Sequence, residues 1–230
     1  MSDESALLAA ILAHPDEDTP RLMYADWLEE HGRPERAEFI RLQCDPGADE
    51  AAEDRAAELE ERNRGKWLAS LGVPQFPGAR WEFRRGFPEY LDVPAELMLE
   101  RYEAFARVSW LRFLSLHHLS RSPVRDFVNR PWGRWVELEL QEHPLAAVFD
   151  EEFQTTPAII AVANCPQVAQ LRRLHLSLSG LAPAAIQSLV TSRFLESFAI
   201  LQIDGDRAHS LFDRRLAPLR ERFGDRLVIG

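Results

Sequence analysis

Three histidines in the C-terminal two-thirds of the chain have a residue type and spacing suited to metal binding or proton transfer. His117 and His118 are adjacent, and His175 lies further along the chain. Alternate residues of a strand share a face, so His117 and His175 can lie on one face of a sheet while His118 points to the other face or into a turn. Imidazole titrates near neutral pH and is a common metal ligand. We favour solvated surface histidines, because the sequence places no carboxylate to orient the rings.

Two glutamates form a second pair that could do acid–base chemistry. In an extended strand Glu137 and Glu139 share a face, with about 7 Å between them. A pair of carboxylates at this distance resembles that of a glycosidase. No apolar, sugar-stacking cleft accompanies the pair in the sequence, so we interpret it as part of a solvated face.

Other motifs that would indicate a cofactor are absent from the sequence. The two cysteines, Cys44 and Cys165, have no neighbouring cysteine at zinc-ligand spacing, and neither a glycine-rich phosphate loop nor a metalloprotease motif occurs. We therefore expect no metal and no nucleotide cofactor. Without a secretory signal or a long apolar stretch, we expect free thiols, a cytoplasmic location and no membrane association.

The histidines and glutamates lie within or beside copies of an apolar motif that has leucine or a substitute at positions one, four and six. It occurs five times: Pro88, Leu91, Val93; Leu111, Leu114, Leu116; Trp135, Leu138, Leu140; Leu171, Leu174, Leu176; and Phe198, Leu201, Ile203. The middle residues, 91, 114, 138, 174 and 201, are 23, 24, 36 and 27 residues apart. Except for the long step, this spacing is typical of leucine-rich repeats.

The outward positions of these strands are polar, and this favours one architecture over another. Positions four and six point into a core, whereas positions three and five point outward. In a doubly wound sheet both faces are covered and parallel strands are continuously apolar. Here only one face is apolar, and helical spacing follows at Pro94 and Pro183 and towards Phe223. The sequence therefore predicts an α/β fold, a leucine-rich-repeat-like right-handed solenoid with parallel strands inside and helices outside.

The long repeat step contains an insertion, Pro144 to Gln167. Its apolar residues predict an additional packed helix rather than a disordered loop: Leu145, Val148, Phe149, Phe153, Ile159, Ile160 and Val162.

The first third of the chain has a different charge and pattern. Residues 1–61 contain 18 acidic and 5 basic residues, a net charge of −13, whereas the remainder has 19 acidic and 22 basic residues, a net charge of +3. Caps, prolines and Gly32 predict four helices, the second from Asp18 or Thr19, the third near Pro34 and the fourth from Asp49 to Leu71. We predict an all-α cap over residues 1–75 and the repeat region over 76–230. The acidic module argues against nucleic acid as a partner.

The N-terminal segment resembles the bacterial repeat-companion domain. The residues that carry this resemblance are Asp18–Gly32, with the sequence DTPRLMYADWLEEHG, and Arg36–Gln43, with RAEFIRLQ. The close match covers about residues 3 to 45, and looser similarity extends through Lys66–Leu68 and Arg84–Phe87. The resemblance implies a helical domain followed by leucine-rich repeats of the ribonuclease-inhibitor type. It implies no established catalytic activity or ligand.

Two residues of this motif invite a specific expectation. Trp27 shares a helix face with Met23, so we predict that it belongs to the core. Asp26 is expected to pair with Arg36 or Arg41 of the next helix and to fix the angle between the two helices. A further cluster, Arg80, Arg84 and Arg85 near Trp81, predicts cation–π contacts or, less favoured, a site for an acidic partner.

The pattern supports two hypotheses for function. The first is a non-catalytic binding or regulatory module whose concave strand face binds a protein partner, and which is expected to be monomeric when alone. Its candidate contact residues are Tyr90, Asp92, Phe113, Ser115, His117, Glu137, Glu139, Gln141, Arg173, His175, Gln202 and Asp204. The alternative is an enzyme regulator or hydrolase with a site near His117 and His175. Histidines clustered with an oriented carboxylate would favour the alternative.

Overall fold

The structure, a computed structural model, describes residues 3–119, 124–141, 156–177, 181–196, 200–204 and 215–230. Within these ranges the chain is α/β, with seven strands in one mostly parallel sheet in the order β1 to β7. The helices are α1 (Asp3–Ala13), α2 (Thr19–Glu30), α3 (Pro34–Cys44), α4 (Glu50–Ser70), α5 (Ala95–Glu100), α6 (Tyr102–Ala106), α7 (Val124–Val128), α8 (Thr156–Ala163), α9 (Pro183–Thr191) and α10 (Ala217–Phe223). The strands are β1 (Arg80–Arg84), β2 (Phe87–Pro94), β3 (Phe113–His117), β4 (Glu137–Gln141), β5 (Arg173–Ser177), β6 (Ile200–Asp204) and β7 (Leu227–Ile229).

The four N-terminal helices begin and end where the sequence signals predict. Pro20 and Pro34 lie in the first turns of α2 and α3, where the missing N–H costs no hydrogen bond. Asp49 caps α4, because its side chain accepts a hydrogen bond from the Ala52 N–H at 2.9 Å. Gly32 follows α2 with a φ of 73°, a conformation that glycine adopts without strain. The predicted helices are confirmed.

The strands of the repeats pair in parallel with the leucines in register. Leu114 pairs with Leu138, Leu138 with Leu174, and Leu174 with Leu201. In β4, β5 and β6 the residues alternate between buried and half-exposed, as the motif predicts. The apolar face of these strands is therefore core, and their polar face is partly open.

Helices follow the strands at the predicted prolines, and part of the insertion is helical. Helix α8 buries Ile159 and Val162, and a 3₁₀ segment, Pro166–Gln170, precedes β5. Ile160, on the same helix, is half-exposed. The other apolar residues named for the insertion, Leu145, Val148, Phe149 and Phe153, lie outside the described residues, as does Phe198 of the fifth motif. A second 3₁₀ segment, Gly224–Arg226, leads into β7.

The chain divides into two compact units. The first contains residues 3–75, 81–90 and 108–110, and the second contains residues 76–80, 91–107 and the described residues from 111 to 230. Segments that follow residue 75 in the chain thus belong to the first unit. Among the described helices, none combines the length and the apolar character needed to cross a bilayer.

The first unit is organised around the turn between β1 and β2. The two turn residues, Arg85 and Gly86, have φ values of 47° and 85°, the positive values that a type I′ hairpin turn requires. Arg21 donates a hydrogen bond to the Arg85 carbonyl at 3.1 Å, and Arg36 donates to the Gly86 carbonyl. Gln43 accepts a hydrogen bond from the Gly86 N–H at 2.7 Å. Residues of α2 and α3 therefore hold this turn in place.

Arg21 and Glu89 form a buried ion pair in the same unit. The Arg21 Nη2 to Glu89 Oε1 distance is 2.5 Å, and the side chains are 0% and 2% exposed. Arg21 also donates to the Pro15 carbonyl at 2.8 Å and lies 5.2 Å from the centre of the Phe87 ring. Burial lowers the pKa of Arg21, an effect that the charge of Glu89 opposes.

The prediction that Trp27 belongs to the core is wrong. The buried face of α2 consists of Arg21, Tyr24, Ala25 and Leu28, with the spacing of a helix face. Trp27 lies beside this stripe, half-exposed, and Met23 is 56% exposed. Trp27 stacks on His31 with 4.0 Å between ring centres, and the Arg33 guanidinium lies 4.8 Å from the Trp27 ring centre.

The expected pairing of Asp26 is confirmed for one of the two arginines. Arg41 contacts Asp26 at 2.7 Å, whereas Arg36 points into an aromatic environment. The other predicted arginine cluster has separate partners. Arg84 lies 4.9 Å from the Tyr90 ring centre, and Arg85 donates to the Pro15 carbonyl at 2.5 Å.

Candidate functional site

Most of the predicted partner-binding residues lie on one partly open surface of the second unit. We call this surface the polar strand face and define it as Asp92, Phe113, His117, Glu137, Glu139, Gln141, Arg173, His175, Gln202 and Asp204. Each of these residues is half-exposed, and each lies on a strand that also carries buried leucine, valine or isoleucine residues. The alternating strand geometry therefore turns a row of polar side chains away from the apolar core.

His175 is the most constrained residue of the polar strand face. Its Nδ1 lies 2.9 Å from Glu139 Oε1 on β4, and its Nε2 lies 2.6 Å from Asp204 Oδ2 on β6. Glu139 is the direct register partner of His175, whereas Asp204 reaches it diagonally from the position opposite Ser177. Both contacts are hydrogen bonds only when both ring nitrogens carry protons, so the arrangement suits an imidazolium between two carboxylates.

The surroundings of His175 favour its charged form. The hydrogen bond with Glu139 is the largest cause of a raised pKa, and the charge of Glu139 and the contact with Asp204 add to it. Partial burial of the ring opposes this shift. Gln202 also lies near the same aspartate, with its Nε2 3.3 Å from Asp204 Oδ2. These contacts tie β4, β5 and β6 together.

Two further contacts between a basic and an acidic side chain continue the pattern across the sheet. His117 Nδ1 lies 3.1 Å from Asp92 Oδ1, and Arg80 approaches the same carboxylate at 3.8 Å. Arg173 lies 3.9 Å from Glu137, its direct register partner. The expectation that no carboxylate orients the histidines is therefore wrong for two of them, because neighbouring strands supply one carboxylate to His117 and two to His175.

The two histidines do not form a common site. One strand separates β3 from β5, and the register offsets His117 from His175 by two residues along the strand. With ordinary sheet spacing their Cα atoms are about 12 Å apart. Within the described ranges, no group of three or more histidine, cysteine, aspartate or glutamate side chains is arranged to hold a metal ion.

The predicted glutamate pair is likewise divided between different partners. Glu137 contacts Arg173, and Glu139 contacts His175. Each carboxylate therefore balances a cation on β5. Both carboxylates are thus engaged with side chains of β5, which weakens the comparison with a glycosidase pair.

Two of the predicted contact residues have other positions. Ser115 is fully buried, although its register pairing with Glu139 keeps it on the outward phase of β3. The prediction that it is an exposed contact residue is therefore wrong, because so short a side chain is covered by its neighbours. Tyr90 is half-exposed, but it belongs to the first unit. Phe113 remains on the polar strand face, with the Arg112 guanidinium 5.4 Å from its ring centre.

The cysteines lie apart from these contacts. Both are free thiols. Burial raises the pKa of Cys44 to about 11, and burial also raises the pKa of Cys165. Neither thiol is therefore activated as a nucleophile at neutral pH.

The sequence contained a signal for the carboxylate partners that residue spacing alone missed. Aligning the repeats on Leu138 and Leu174 places Glu139 opposite His175, the pairing that the structure has. The diagonal contacts made by Asp92 and Asp204 could not be predicted from this alignment, because they also depend on the direction of each side chain.

Comparisons with protein-family models, with curated proteins and with solved structures found no significant match to this chain.

Proposed function

We propose that this chain is a non-catalytic binding module that uses the polar strand face to recognise a protein partner. The observation that carries the proposal is a row of contacts between acidic and basic side chains on the partly open side of a sheet whose other side is core. These contacts join Asp92 to His117, Glu137 to Arg173, and both Glu139 and Asp204 to His175. A sheet needs no such row for its own packing, because the buried leucines supply that.

The ion pairs also prepare the surface for binding. Side chains that are already held by neighbours lose less conformational entropy when a partner docks. Fixed charges of both signs favour a partner with a complementary pattern and exclude partners that place like charges opposite them. The face is thus suited to a specific, polar protein surface.

The proposed architecture is a leucine-rich-repeat-type solenoid in which the polar strand face is concave. The parallel in-register leucines and the helices after the strands support it. The resemblance to the bacterial repeat-companion domain supports the same proposal, because that domain precedes such repeats. We therefore propose that the partner is a protein of the bacterial cytoplasm.

One observation favours the alternative of a histidine-based hydrolytic site, namely that His175 has oriented carboxylates. The same geometry weakens it, because both ring nitrogens already contact carboxylate oxygens. A general base needs one nitrogen free to accept a proton from a nucleophile or a water. The binding function therefore remains our proposal.

Site-specific photo-crosslinking in the native cell tests the proposal. A benzoylphenylalanine would be placed at Gln141 or Gln202, both half-exposed on the polar strand face, and separately at the exposed Glu103 on α6. We expect both face positions to trap the same protein and the helix position to trap none of it. Products from the helix position alone would mean that the helices form the binding surface.

A charge swap then separates recognition from stability. Glu137→Arg combined with Arg173→Glu keeps an ion pair but reverses its direction on the face. The matched control, Glu100→Arg with Arg101→Glu, reverses an exposed pair at the end of α5, whose N–O distance is 2.9 Å. We expect only the first swap to abolish crosslinking, with both variants keeping the wild-type melting temperature. Unchanged crosslinking in the first swap would refute the proposed surface.

A further inference from the structure

The first unit contains a cavity of about 360 Å³ between the start of α3 and the end of α4. Its lining includes Tyr24, Arg33, Arg36, Lys66, Trp67 and Leu71. The volume is at the lower end of the range for small-molecule sites, and a mixture of aromatic walls with a few polar groups is typical of such sites. The cavity thus has the size and composition to hold a small ligand.

Arg36 in the wall of this cavity is buried without an anionic partner. Its side chain is 7% exposed, and its Nη1 has no hydrogen-bond partner. Its Nη2 donates to the Gly86 carbonyl, and its guanidinium lies 4.5 Å from the Trp67 ring centre and 5.1 Å from that of Phe83. Burial lowers the pKa of Arg36 to about 9. A buried cation of this kind is costly unless an anion accompanies it.

Apart from Lys66, the other charged residues of the cavity lining already have partners. Arg33 contacts Glu4 at 2.9 Å, and Glu35 accepts a hydrogen bond from Asn63 at 3.1 Å and lies 4.0 Å from Arg62. Arg36 therefore lacks a carboxylate within ion-pair distance. Arg36 lacks such a partner even though residues 1–61, the part of the chain to which it belongs, contain 18 acidic residues.

Lys66 adds a second uncompensated positive charge to the lining. It is exposed, and among the described residues no carboxylate forms an ion pair with it. It is also the only lysine of the chain, alongside 26 arginines. The cavity therefore combines a buried guanidinium donor, an ammonium group at its exposed side and the aromatic wall of Trp67.

From this arrangement we infer that the cavity binds a small organic carboxylate with a flat apolar or aromatic body, its carboxylate paired with Arg36 and Lys66 and its body against Trp67 and Leu71. A carboxylate suits the site better than a phosphate, because one remaining guanidinium donor in a buried setting matches a single negative charge. This site lies wholly in the first unit and does not depend on the function proposed for the polar strand face.

Lys66 provides a direct measurement of binding. Reductive methylation with ¹³C-formaldehyde labels this lysine and the terminal amine, and it keeps the positive charge of the lysine. Because the chain has one lysine, its side chain gives one methyl signal in NMR spectra. The full-length chain would be titrated with 3-phenylpropionate, with the neutral 3-phenylpropan-1-ol and with inorganic phosphate. Calorimetry on the unlabelled chain would give the affinities.

We expect 3-phenylpropionate to shift the Lys66 signal and to bind at least about tenfold more tightly than the alcohol, the ratio that one charge-assisted hydrogen bond supplies. Phosphate should leave the signal unchanged. Equal binding of the alcohol would show that the cavity recognises only apolar groups, and equal binding of phosphate would show that the ligand class is wrong. Absence of carboxylate binding would overturn the inference outright.

Four variants locate the ligand. Arg36→Met should remove carboxylate binding, and Lys66→Met should weaken it. Because the Arg36 variant can fail to fold, Ser70→Trp serves as an independent test: it places a bulky ring in the cavity lining and leaves both cations in place. Arg55→Met, on the same helix but outside the lining, is the matched charge control. Retained binding in Ser70→Trp, or equal loss in Arg55→Met, would place the ligand elsewhere.

Discussion

The two units treat their charged residues in opposite ways. In the first unit Arg21 and Glu89 form an ion pair that is excluded from water. In the second unit Glu139, His175 and Asp204 form a chain of contacts that stays partly open to solvent. A buried pair must be complete to be tolerated, whereas a partly solvated pair can be broken at little cost. The first arrangement therefore serves folding, and the second is the one that the proposed binding function would use.

This contrast also explains the long N-terminal motif. Arg21, Arg36 and Gln43 all bond to the turn at Arg85 and Gly86, and so the motif and the looser similarity around the turn form one structural unit. Arg21, Arg36 and Gln43 thus each have a structural role within the first unit. No comparable convergence occurs on the polar strand face, where each ion pair joins neighbouring strands.

The largest expected effect comes from breaking the buried pair. Arg21→Met leaves Glu89 buried without its guanidinium, and we expect the free energy of unfolding to fall by about 3–5 kcal/mol. Combining it with Glu89→Leu should recover much of that loss, because no isolated charge remains. Urea denaturation of the three proteins measures this. A loss below about 1 kcal/mol for the single variant would remove the contrast between the units.

A second pair of variants compares the two faces of one strand. Leu138→Ala should cost about 2–5 kcal/mol through the cavity it leaves, whereas Glu139→Ala should cost about 1 kcal/mol or less, because its ion pair is partly solvated. Denaturant melts of both variants give the two values. Equal losses would mean that the polar strand face is as closely packed as the core.

The hairpin turn provides a smaller effect in the first unit. Gly86→Ala adds a methyl group at a φ of 85°, and the new Cβ would overlap the side chain of Ile40. We expect a loss of about 1–3 kcal/mol from the backbone strain, with a further cost from the overlap. The matched substitution Gly72→Ala has a φ of 67° but open space around it, so the difference between the two variants measures the packing against α3.

The smallest effect concerns how the contacts of His175 with Glu139 and Asp204 depend on pH. Folding raises the pKa of His175, so the charged imidazole stabilises the folded state. This contribution is fully present below about pH 6.5, the pKa of an unperturbed imidazole, and is lost as the pH rises through the folded-state pKa. We expect wild type to exceed His175→Gln in stability by about 1 kcal/mol or less near pH 5.5, and the difference to shrink as the pH rises through the folded-state pKa. A gap that widens with pH would contradict the charged histidine. Gln141→Ala, a neutral substitution on the same face, should show no such trend.

Short-range patterns in the sequence predicted much of the fold. The caps, prolines and Gly32 define the N-terminal helices, and the leucine spacing predicts the strand phase because both depend on residues close together in the chain. The burial of Arg21 and Glu89 could not be predicted in this way, because the two residues are 68 positions apart and hydropathy places both at the surface. Only the fold brings the two charges together.

The candidate site shows the same limit on a smaller scale. The outward phase of Glu139 and His175 follows from strand alternation. Burial of Ser115 depends on the length of its neighbours on the next strand, and the contacts of Asp92 and Asp204 depend on diagonal reach across the sheet. Alternation gives the direction of a side chain but does not give its exposure or its partner.

The separation of Arg21 from Glu89 also has an effect during synthesis on the ribosome. The arginine is made 68 residues before the carboxylate that accompanies it in the folded chain. At about 5–20 residues per second, the interval is about 3–14 s. Until then α2 carries a guanidinium that cannot be buried, so its helix can form while its docking must wait. The nascent chain therefore completes its first unit only after β2 has emerged.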